Sequence, residues 1–282
     1  MSGLKGLLKA TPFYTQLRRL KWALKEVWHR STRPRHPLQS LRAHPDYTFR
    51  RMGTYAGGWV FVDDGSLRNA QIVSAGLGLD ASFDVELASE FGARILLVDP
   101  TPAAIAHFEE ITRNIGAARR RPYEHNSREP VGAYDLSRVI PGQFELDRRA
   151  LWNAATTLKF FLPANRTDIS HSIVDVQNNF QQDAPSIEVG TVTLKQLLSD
   201  HGLSPEDIAY LKLDIEGAEV EVILSMLEDG ICPRQVAVEY DELLFPSAES
   251  FARVDRADTA LRAHGYVPVH RDGDTNFLYL KS

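Results

Sequence analysis

The sequence predicts an α/β fold built on a mainly parallel sheet with helices on both faces. From residue 71 onward, short β-rich runs alternate with segments of helical periodicity, which is typical of a doubly wound sheet. The stretch YLKLDIEGAEVEVILSM (210–226) shows one such unit, beginning as a buried strand and ending as an amphipathic helix. The chain closes with YVPVH and NFLYLK joined by RDGDT, a predicted hairpin that places one antiparallel strand at or near a sheet edge.

The individual elements follow from the same two periodicities. A glycine-containing turn or a polar run separates most of them, and each helix is long enough to cross back over a sheet. Strands are predicted at 71–76, 94–99, 143–146, 157–163, 208–214, 234–241, 266–270 and 276–281, and helices at 82–93, 102–116, 192–202, 219–230 and 250–265.

The first 50 residues differ from the rest and are predicted to form a basic helical extension to a domain at 51–282. Residues 1–45 carry ten Lys and Arg residues against one acid, Glu26. Leucines recur at helical spacing among these basic residues, and Pro34 and Pro37 end the pattern. Such a helix can lie on an anionic membrane, bind a protein partner or pack on its own domain.

Composition limits the function. The chain has 282 residues, 43% of them apolar, and a net charge of −5, which argues against nucleic acid as the main partner. The single Cys232 excludes an internal disulfide and a CxxC metal or redox motif. Since no apolar run is long enough to span a bilayer, we expect a cytoplasmic protein, peripheral to a membrane if the extension binds one.

A glycine loop joins the first predicted strand to its helix, in VSAGLGLDASFD. Gly76 and Gly78 permit a sharp turn and close approach of a ligand, and the helix near Ser82 directs free N–H groups at it. Asp99 ends the second strand, 23 residues after Gly76, where an acid can accept hydrogen bonds from ribose hydroxyls. This pattern predicts an adenosine-containing cofactor; the alternative is a βα turn whose glycines serve packing.

The same loop also satisfies the dinucleotide fingerprint, as Gly76-x-Gly78-x-x-Ala81. An NAD(P)-dependent Rossmann oxidoreductase is therefore a second candidate. Short-chain enzymes of that type need a Tyr-x-x-x-Lys pair, and none of the nine tyrosines has Lys four residues on. The oxidoreductase is therefore ranked second among the explanations of the loop.

Four runs carry a resemblance to a known family. They are LKLDIEGAE (211–219), GLGLDASFD (76–84) with VDPTP (98–102), FFLPANRTDISHSI (160–173) and VAVEYDEL (236–243). Together they resemble the FkbM family of S-adenosylmethionine-dependent methyltransferases over roughly residues 53–282. The resemblance implies a Rossmann-like class I methyltransferase fold, with a seven-stranded sheet in which the last hairpin strand is reversed. It also implies methyl transfer to oxygen, commonly to a hydroxyl of a sugar, glycan or natural product.

The resemblance also assigns cofactor contacts. Pro100 belongs to the second cofactor run, VDPTP. Many methyltransferases carry an acid where this chain has Ser74, so Asp80 or Asp84 is expected to take over the contact to the methionine end. Leu151 and Trp152, after the third strand, are candidates to flank the adenine, because aromatic faces stack on bases. A core position for Trp152 is the alternative.

Catalysis is predicted at the strand–helix junction that contains Asp214 and Glu216. A carboxylate there would act as general base for the acceptor hydroxyl. Glu239 and Asp241 end the next strand and are expected to face the same space, contacting the substrate. Alternatively, Glu216 caps the helix, while Glu219 and Glu221 are expected to be plain solvated residues.

Three further residues and a metal complete the predicted site. His171 is a candidate base or acceptor-orienting residue, and Ser170 and Ser172 are candidate hydrogen-bond partners of the substrate. The family resemblance supports these three roles. A divalent ion held by Asp214, Glu239 and Asp241 is a further candidate, and oxygen ligands would favour Mg²⁺. The remaining alternative is a methyltransferase-like binding module that keeps the fold but catalyses no reaction.

Overall fold

A computed structural model describes residues 33–161 and 186–282 of the chain. Residues Pro37–Ser282 form one compact unit, and the boundary at residue 51 stays a prediction. Leu38 is buried in the core of this unit, and the N–H of His44 donates to the carbonyl of Val269. Most of the predicted basic extension lies outside the described residues. Within the described ranges, no helix is both long and apolar enough to cross a membrane.

Twelve strands form three sheets in the described part of the chain. They are β1 (Phe49–Met52), β2 (Trp59–Val62), β3 (Gln71–Ala75), β4 (Arg94–Val98), β5 (Phe144–Asp147), β6 (Ala150–Leu151), β7 (Thr157–Phe161), β8 (Ser186–Val192), β9 (Ile208–Leu213), β10 (Gln235–Glu239), β11 (Tyr266–Asp272) and β12 (Asn276–Lys281). The central sheet has the order β11-β12-β10-β9-β3-β4-β5. Its pairings are parallel except those of β12, which runs antiparallel to both neighbours. This confirms the predicted mostly parallel sheet.

Five α-helices in the described part of the chain flank the sheet: α1 (Ser82–Phe91), α2 (Pro102–Arg113), α3 (Leu194–Asp200), α4 (Glu219–Glu228) and α5 (Ala248–Ala263). Alternate strand residues belong to two separate hydrophobic clusters. Val73 and Leu211 pack with residues of α3, α4 and α5, whereas Ile72 and Tyr210 pack with α1, α2 and β2. Because successive side chains of a strand point to opposite faces, the helices cover both sides of the sheet, as predicted.

Parallel pairing aligns the carboxyl ends of four adjacent strands. Ala75 of β3 pairs with Val98 of β4 and with Leu213 of β9, and Leu213 pairs with Val238 of β10. Neighbouring strands lie about 4.8 Å apart, so the residues that follow these four lie side by side along one sheet edge. In spatial order these following residues are Asp99, Gly76, Asp214 and Glu239.

Two sets of strands differ from the sequence prediction. The antiparallel hairpin of β1 and β2 was not predicted. FRRM has little apolar character, and WVFV is too short to be identified as a strand from its residues alone. The run at 157–163 does form a strand, but β7 joins the order β6-β8-β7 in a separate sheet. The helix predicted at 192–202 begins at Leu194, after β8, with Thr193 accepting from the N–H of Gln196.

Candidate active site

A cavity of about 530 Å³ opens at the carboxyl edge of the central sheet. Its wall is formed by the segments that follow β3, β4, β9 and β10, which is where ligands bind in open α/β sheets. Most of the predicted site residues within the described ranges lie on this wall. They are Gly76, Gly78, Asp80, Asp99, Pro100, Leu151, Asp214, Glu216, Glu239 and Asp241.

The glycine loop after β3 depends on two residues with left-handed backbone. Gly76 has φ 89° and Gly78 has φ 55°. A Cβ on Gly76 would lie 1.8 Å from the carbonyl oxygen of Asp214, so a side chain there cannot be accommodated. Gly76 therefore allows the ends of β3 and β9 to approach each other, whereas a Cβ on Gly78 would meet only open space.

Asp99 fastens this loop to the end of β4. Its Oδ2 accepts from the backbone N–H groups of Leu77 (3.0 Å) and Gly78 (2.9 Å). Its Oδ1 accepts from the N–H (2.9 Å) and the hydroxyl (2.7 Å) of Thr101. An ionised carboxylate has about four acceptor sites, and these four bonds use them. The structure therefore gives Asp99 an anchoring role, and these bonds leave no acceptor site of its carboxylate free for the predicted contact to a ribose.

Asp80 lies on the cavity wall and is held in place from two sides. Its Oδ2 accepts from the hydroxyl of Thr54 (2.6 Å), and its Oδ1 accepts from the N–H of Ser82 (3.0 Å). Gly57 approaches so closely that a Cβ there would lie 2.5 Å from the carboxyl carbon of Asp80. Asp80 is thus fixed by its neighbours with its carboxylate at the cavity.

Asp84 and Trp152 do not belong to the described cavity wall. Asp84 lies within α1, is only 2% exposed, and faces the interior near Ser74 and Lys212. Burial raises the pKa of Asp84. Trp152 follows β6 and is partly exposed, while its neighbour Leu151 is buried and lines the cavity. Asp80 is therefore better placed than Asp84 to contact a ligand.

Lys212 is a site residue that the sequence interpretation missed. It lies near the end of β9 with its side chain 5% exposed, and its Nζ donates to the carbonyl of Gly76 (2.6 Å). The same Nζ is 3.6 Å from Oδ2 of Asp214 and 5.3 Å from the ring centre of Trp59. Lysine is rarely buried without a partner, so a lysine inside the apolar run of β9 was the signal available.

Glu219, rather than Glu216, holds the turn between β9 and α4. Glu219 is fully buried, and its carboxylate accepts from the N–H groups of Ile215 (2.7 Å) and Gly217 (2.9 Å). The prediction of a solvated Glu219 was wrong, because the turn directs two backbone donors inward that need an acceptor. Burial, with the nearby charge of Asp241, raises the pKa of Glu219 well above its ordinary value.

Glu216 itself lies on the cavity wall with φ 56°. Left-handed backbone is uncommon for a residue with a long side chain, and costs about 1–3 kcal/mol that the surrounding structure must offset. Here the two hydrogen bonds that Glu219 accepts fix the residues on either side of Glu216. The turn is therefore built to present this carboxylate at the cavity.

The end of β10 contributes a second carboxyl group beside Asp214. Glu239 accepts from the hydroxyl of Thr275 (3.0 Å) and lies close to the carboxyl group of Asp214. Burial, followed by the charges of Asp214 and Asp241, raises the pKa of Glu239 well above its ordinary value. The neutral form of Glu239 is favoured because a charge there would be buried beside other acidic groups.

One guanidinium connects the turns that follow β9 and β10. Arg253, in α5, donates through Nε to Glu242 (2.9 Å) after β10. Its Nη1 and Nη2 donate to Glu221 (3.2 Å) and to the carbonyl of Gly217 (3.3 Å). Glu221 is thus half-buried in an ion pair, which corrects the prediction that it is a plain solvated residue.

The metal prediction finds no support. Among residues 33–161 and 186–282, no group of three or more His, Cys, Asp or Glu side chains could hold a metal ion. The set proposed for Mg²⁺ was Asp214, Glu239 and Asp241. Glu239 accepts from the hydroxyl of Thr275 and lies close to Asp214, but the three side chains do not form such a group.

Two other parts of the predicted site have different outcomes. His171, Ser170 and Ser172 lie outside the described residues and stay predictions. Conversely, Asn126, Ser127 and Arg128 line the cavity although no motif indicated them. They belong to the Arg- and Pro-containing stretch 117–142, which the sequence interpretation had left without a role.

Comparison with known proteins gives one family. A model described as methyltransferase FkbM domain matches residues 75–268. A solved structure, a point mutant of the 16S rRNA (adenine(1408)-N(1))-methyltransferase from Catenulisporales acidiphilia, is similar at 12% identity with a TM-score of 0.32, covering 82% of this chain and 96% of that one. No curated protein matches the chain.

Proposed function

Because the chain belongs to the FkbM methyltransferase family, we propose that it is an S-adenosylmethionine-dependent O-methyltransferase acting on a hydroxyl group of a sugar, glycan or natural product. One observation carries the proposal. The glycine loop and the acidic turn lie on adjacent strand ends, in contact through Gly76 and Asp214, and line one cavity. A cofactor cradle and a proton acceptor are thereby brought within reach of one ligand.

The residues present fit an adenosyl cofactor. Gly78 leaves open space where a Cβ would stand, and the loop leads directly into α1, whose N-terminus favours a polar or anionic ligand group. Leu151 supplies an apolar wall for a base, and Asp99 with Pro100 forms the adjoining wall at the end of β4. Bound there, the cofactor supplies a methyl group already activated by a sulfonium.

The acidic turn supplies what methyl transfer to an alcohol still requires. An alcohol loses its proton as the new bond forms, and a base within about 2.6–3.2 Å contributes about 10²–10⁴-fold. Asp214 and Glu216 both line the cavity and are the two candidates. Glu239, whose raised pKa favours its protonated form, lies beside Asp214 on the adjacent strand end.

Positioning is the other contribution of the chain. Glu219 fixes the turn, Lys212 joins Gly76 to Asp214, and Asp99 fastens the glycine loop. The acceptor oxygen must lie at near-attack distance, roughly 3–3.5 Å, so small displacements of either loop are costly. These contacts hold the cofactor side and the acceptor side in one fixed relation.

Calorimetry with S-adenosylhomocysteine and with NAD tests the cofactor. We expect binding of S-adenosylhomocysteine alone; binding of NAD alone would contradict the proposal and favour an oxidoreductase. Transfer of a labelled methyl group across a panel of hydroxylated glycans and natural products then tests the reaction. Cofactor binding without transfer to any of them would favour a binding module.

Substitution of the acidic turn tests the chemistry. With an acceptor found by that panel, Asp214→Asn or Glu216→Gln should lower kcat at least tenfold, because each removes one candidate proton acceptor. Binding of S-adenosylhomocysteine and the melting temperature serve as controls for folding. Unchanged turnover in both variants would remove the turn from the chemistry.

A further inference from the structure

Residues 124–129, called here the 124–129 loop, return from the end of α2 to the glycine loop. The N–H of Glu129 donates to the carbonyl of Leu79 (2.8 Å), and Leu79 and Arg128 form a parallel bridge. Asn126, Ser127 and Arg128 consequently lie on the cavity wall. A segment without a predicted role is thus part of the proposed cofactor site.

The 124–129 loop is held rigidly in this position. Glu129 is 2% exposed, and its carboxylate accepts from the N–H groups of Glu124 and His125. His125 and Ser127 have φ values of 57° and 63°, which non-glycine residues rarely adopt. His125 also accepts, through Nδ1, from the N–H of Tyr55 (3.1 Å). Hydrogen bonds within the loop and one from Tyr55 thus define its conformation in this structure.

Opposite charges flank Leu79 on the cavity wall. Asp80 follows it directly, and Arg128 pairs with it across the bridge. The other cation among the described wall residues, Lys212, is buried and directed at Gly76 and Asp214. Among the described wall residues, Arg128 is hence the cation on the glycine-loop side of the cavity. A guanidinium can donate two parallel hydrogen bonds to one carboxylate.

We propose that Arg128 binds the α-carboxylate, and Asp80 the α-ammonium, of the amino-acid end of the cofactor. The proposal rests on the proposed function and adds to it a second, zwitterion-binding part of the site. A zwitterion requires one anion and one cation in the same part of the site. Asp80 follows Leu79 in the chain, Arg128 pairs with Leu79 across the bridge, and both residues line the cavity. Because Arg128 is anchored to the cofactor loop rather than to the acidic turn, the cofactor is a better partner for it than the acceptor.

Two ligands separate this interaction from the rest of the site. S-adenosylhomocysteine carries the amino-acid end, whereas 5′-methylthioadenosine lacks it and keeps the adenosine and the sulfur. Calorimetry should show that Arg128→Gln weakens S-adenosylhomocysteine about tenfold or more and leaves 5′-methylthioadenosine unchanged. Asp80→Asn should weaken the same ligand selectively. Arg138→Gln, which removes an exposed charge elsewhere, should change neither affinity.

Further variants keep the test decisive. Arg128→Lys retains the charge without the planar fork, so its loss of affinity should lie between those of the wild type and Arg128→Gln. Glu129→Ala keeps Arg128 in the chain but removes the acceptor that holds the backbone of the 124–129 loop. It should therefore weaken the binding of S-adenosylhomocysteine selectively as well. Circular dichroism of each variant confirms the fold, and the lysine variant answers the question if the glutamine variant does not fold.

Three results would overturn the proposal. Equal weakening of both ligands by Arg128→Gln would give Arg128 a purely structural role. An unchanged affinity for both ligands with a raised KM for the acceptor would assign Arg128 to the acceptor. Failure of the wild type to bind either ligand would instead overturn the proposed cofactor, and the zwitterion site with it.

Discussion

At the residue scale, the site is distinguished by acids whose burial the sequence does not reveal. Glu239 follows an apolar strand in the sequence, so its position at the cavity could be expected. Its raised pKa comes first from burial and then from the charges of Asp214 and Asp241, and that burial depends on packing by other segments of the chain. Glu219 was expected to be solvated, because the two backbone donors that it bonds exist only once the turn has formed.

The raised pKa of Glu239 predicts a pH dependence of stability. Between its ordinary value of 4.5 and the raised value, the folded protein holds a proton that the unfolded chain has released. The stabilisation is therefore fully present below pH 4.5 and is lost as the pH rises through the raised pKa. Glu239→Gln keeps a neutral side chain at every pH, so its melting temperature should rise relative to the wild type from about pH 5 to about pH 8.

Melting curves at several pH values measure this difference. Glu206→Gln, which changes an exposed acid in the turn that precedes β9, provides the matched control and should follow the wild type. A Glu239→Gln variant whose difference from the wild type is the same at both ends of the pH range would show that Glu239 is ionised in the folded protein.

At the element scale, the elements with continuous apolar runs were predictable and those stabilised by partners were not. β4 reads RILLV, so its burial follows from its composition. β1 reads FRRM and gains its apolar environment only by pairing with β2. The run 157–163 has strand propensity but no local feature that specifies which sheet it joins, and it pairs with β8 instead of the central sheet.

The turn between β9 and α4 gives a prediction at this scale. Glu219→Ala removes the acceptor of two buried backbone N–H groups, each of which costs about 1–3 kcal/mol when unsatisfied. We expect the free energy of unfolding to fall by roughly 2–4 kcal/mol in urea denaturation. Methyl transfer should also fall, because the left-handed backbone of Glu216 loses its support.

Glu228→Ala is the control for that experiment, since Glu228 is exposed at the far end of the same helix. Its unfolding free energy should stay within about 0.5 kcal/mol of the wild type. If Glu219→Ala were equally mild, the two hydrogen bonds would contribute little, and another contact would have to hold the turn.

At the scale of the whole molecule, the strand order sets the site. The parallel register brings Asp99, Gly76, Asp214 and Glu239 into one row although 163 positions of sequence separate Gly76 from Glu239. The sequence predicted each strand end separately and the family resemblance predicted their assembly. The contribution of residues 124–129 required the structure, because only the return of that segment to Leu79 brings it to the cavity.

Ligand binding should stabilise this whole arrangement. S-adenosylhomocysteine at about 100 times its Kd should add about 2.7 kcal/mol to the free energy of unfolding, and so raise Tm by several degrees. NAD at the same concentration is the control and should leave Tm unchanged. A single transition that moves with ligand would show that the cavity and the sheet unfold together; no shift at saturation would contradict binding at the folded sheet edge.

The guanidinium of Arg253 has a consequence for how large an acceptor the enzyme can admit. It bonds at once to the turn after β9 and to the turn after β10. A bulky molecule that displaces one of these turns must also displace the other, because Arg253 is bonded to both. We expect discrimination by size to depend on both turns together and to be influenced by α5, which contributes no residue to the described cavity wall.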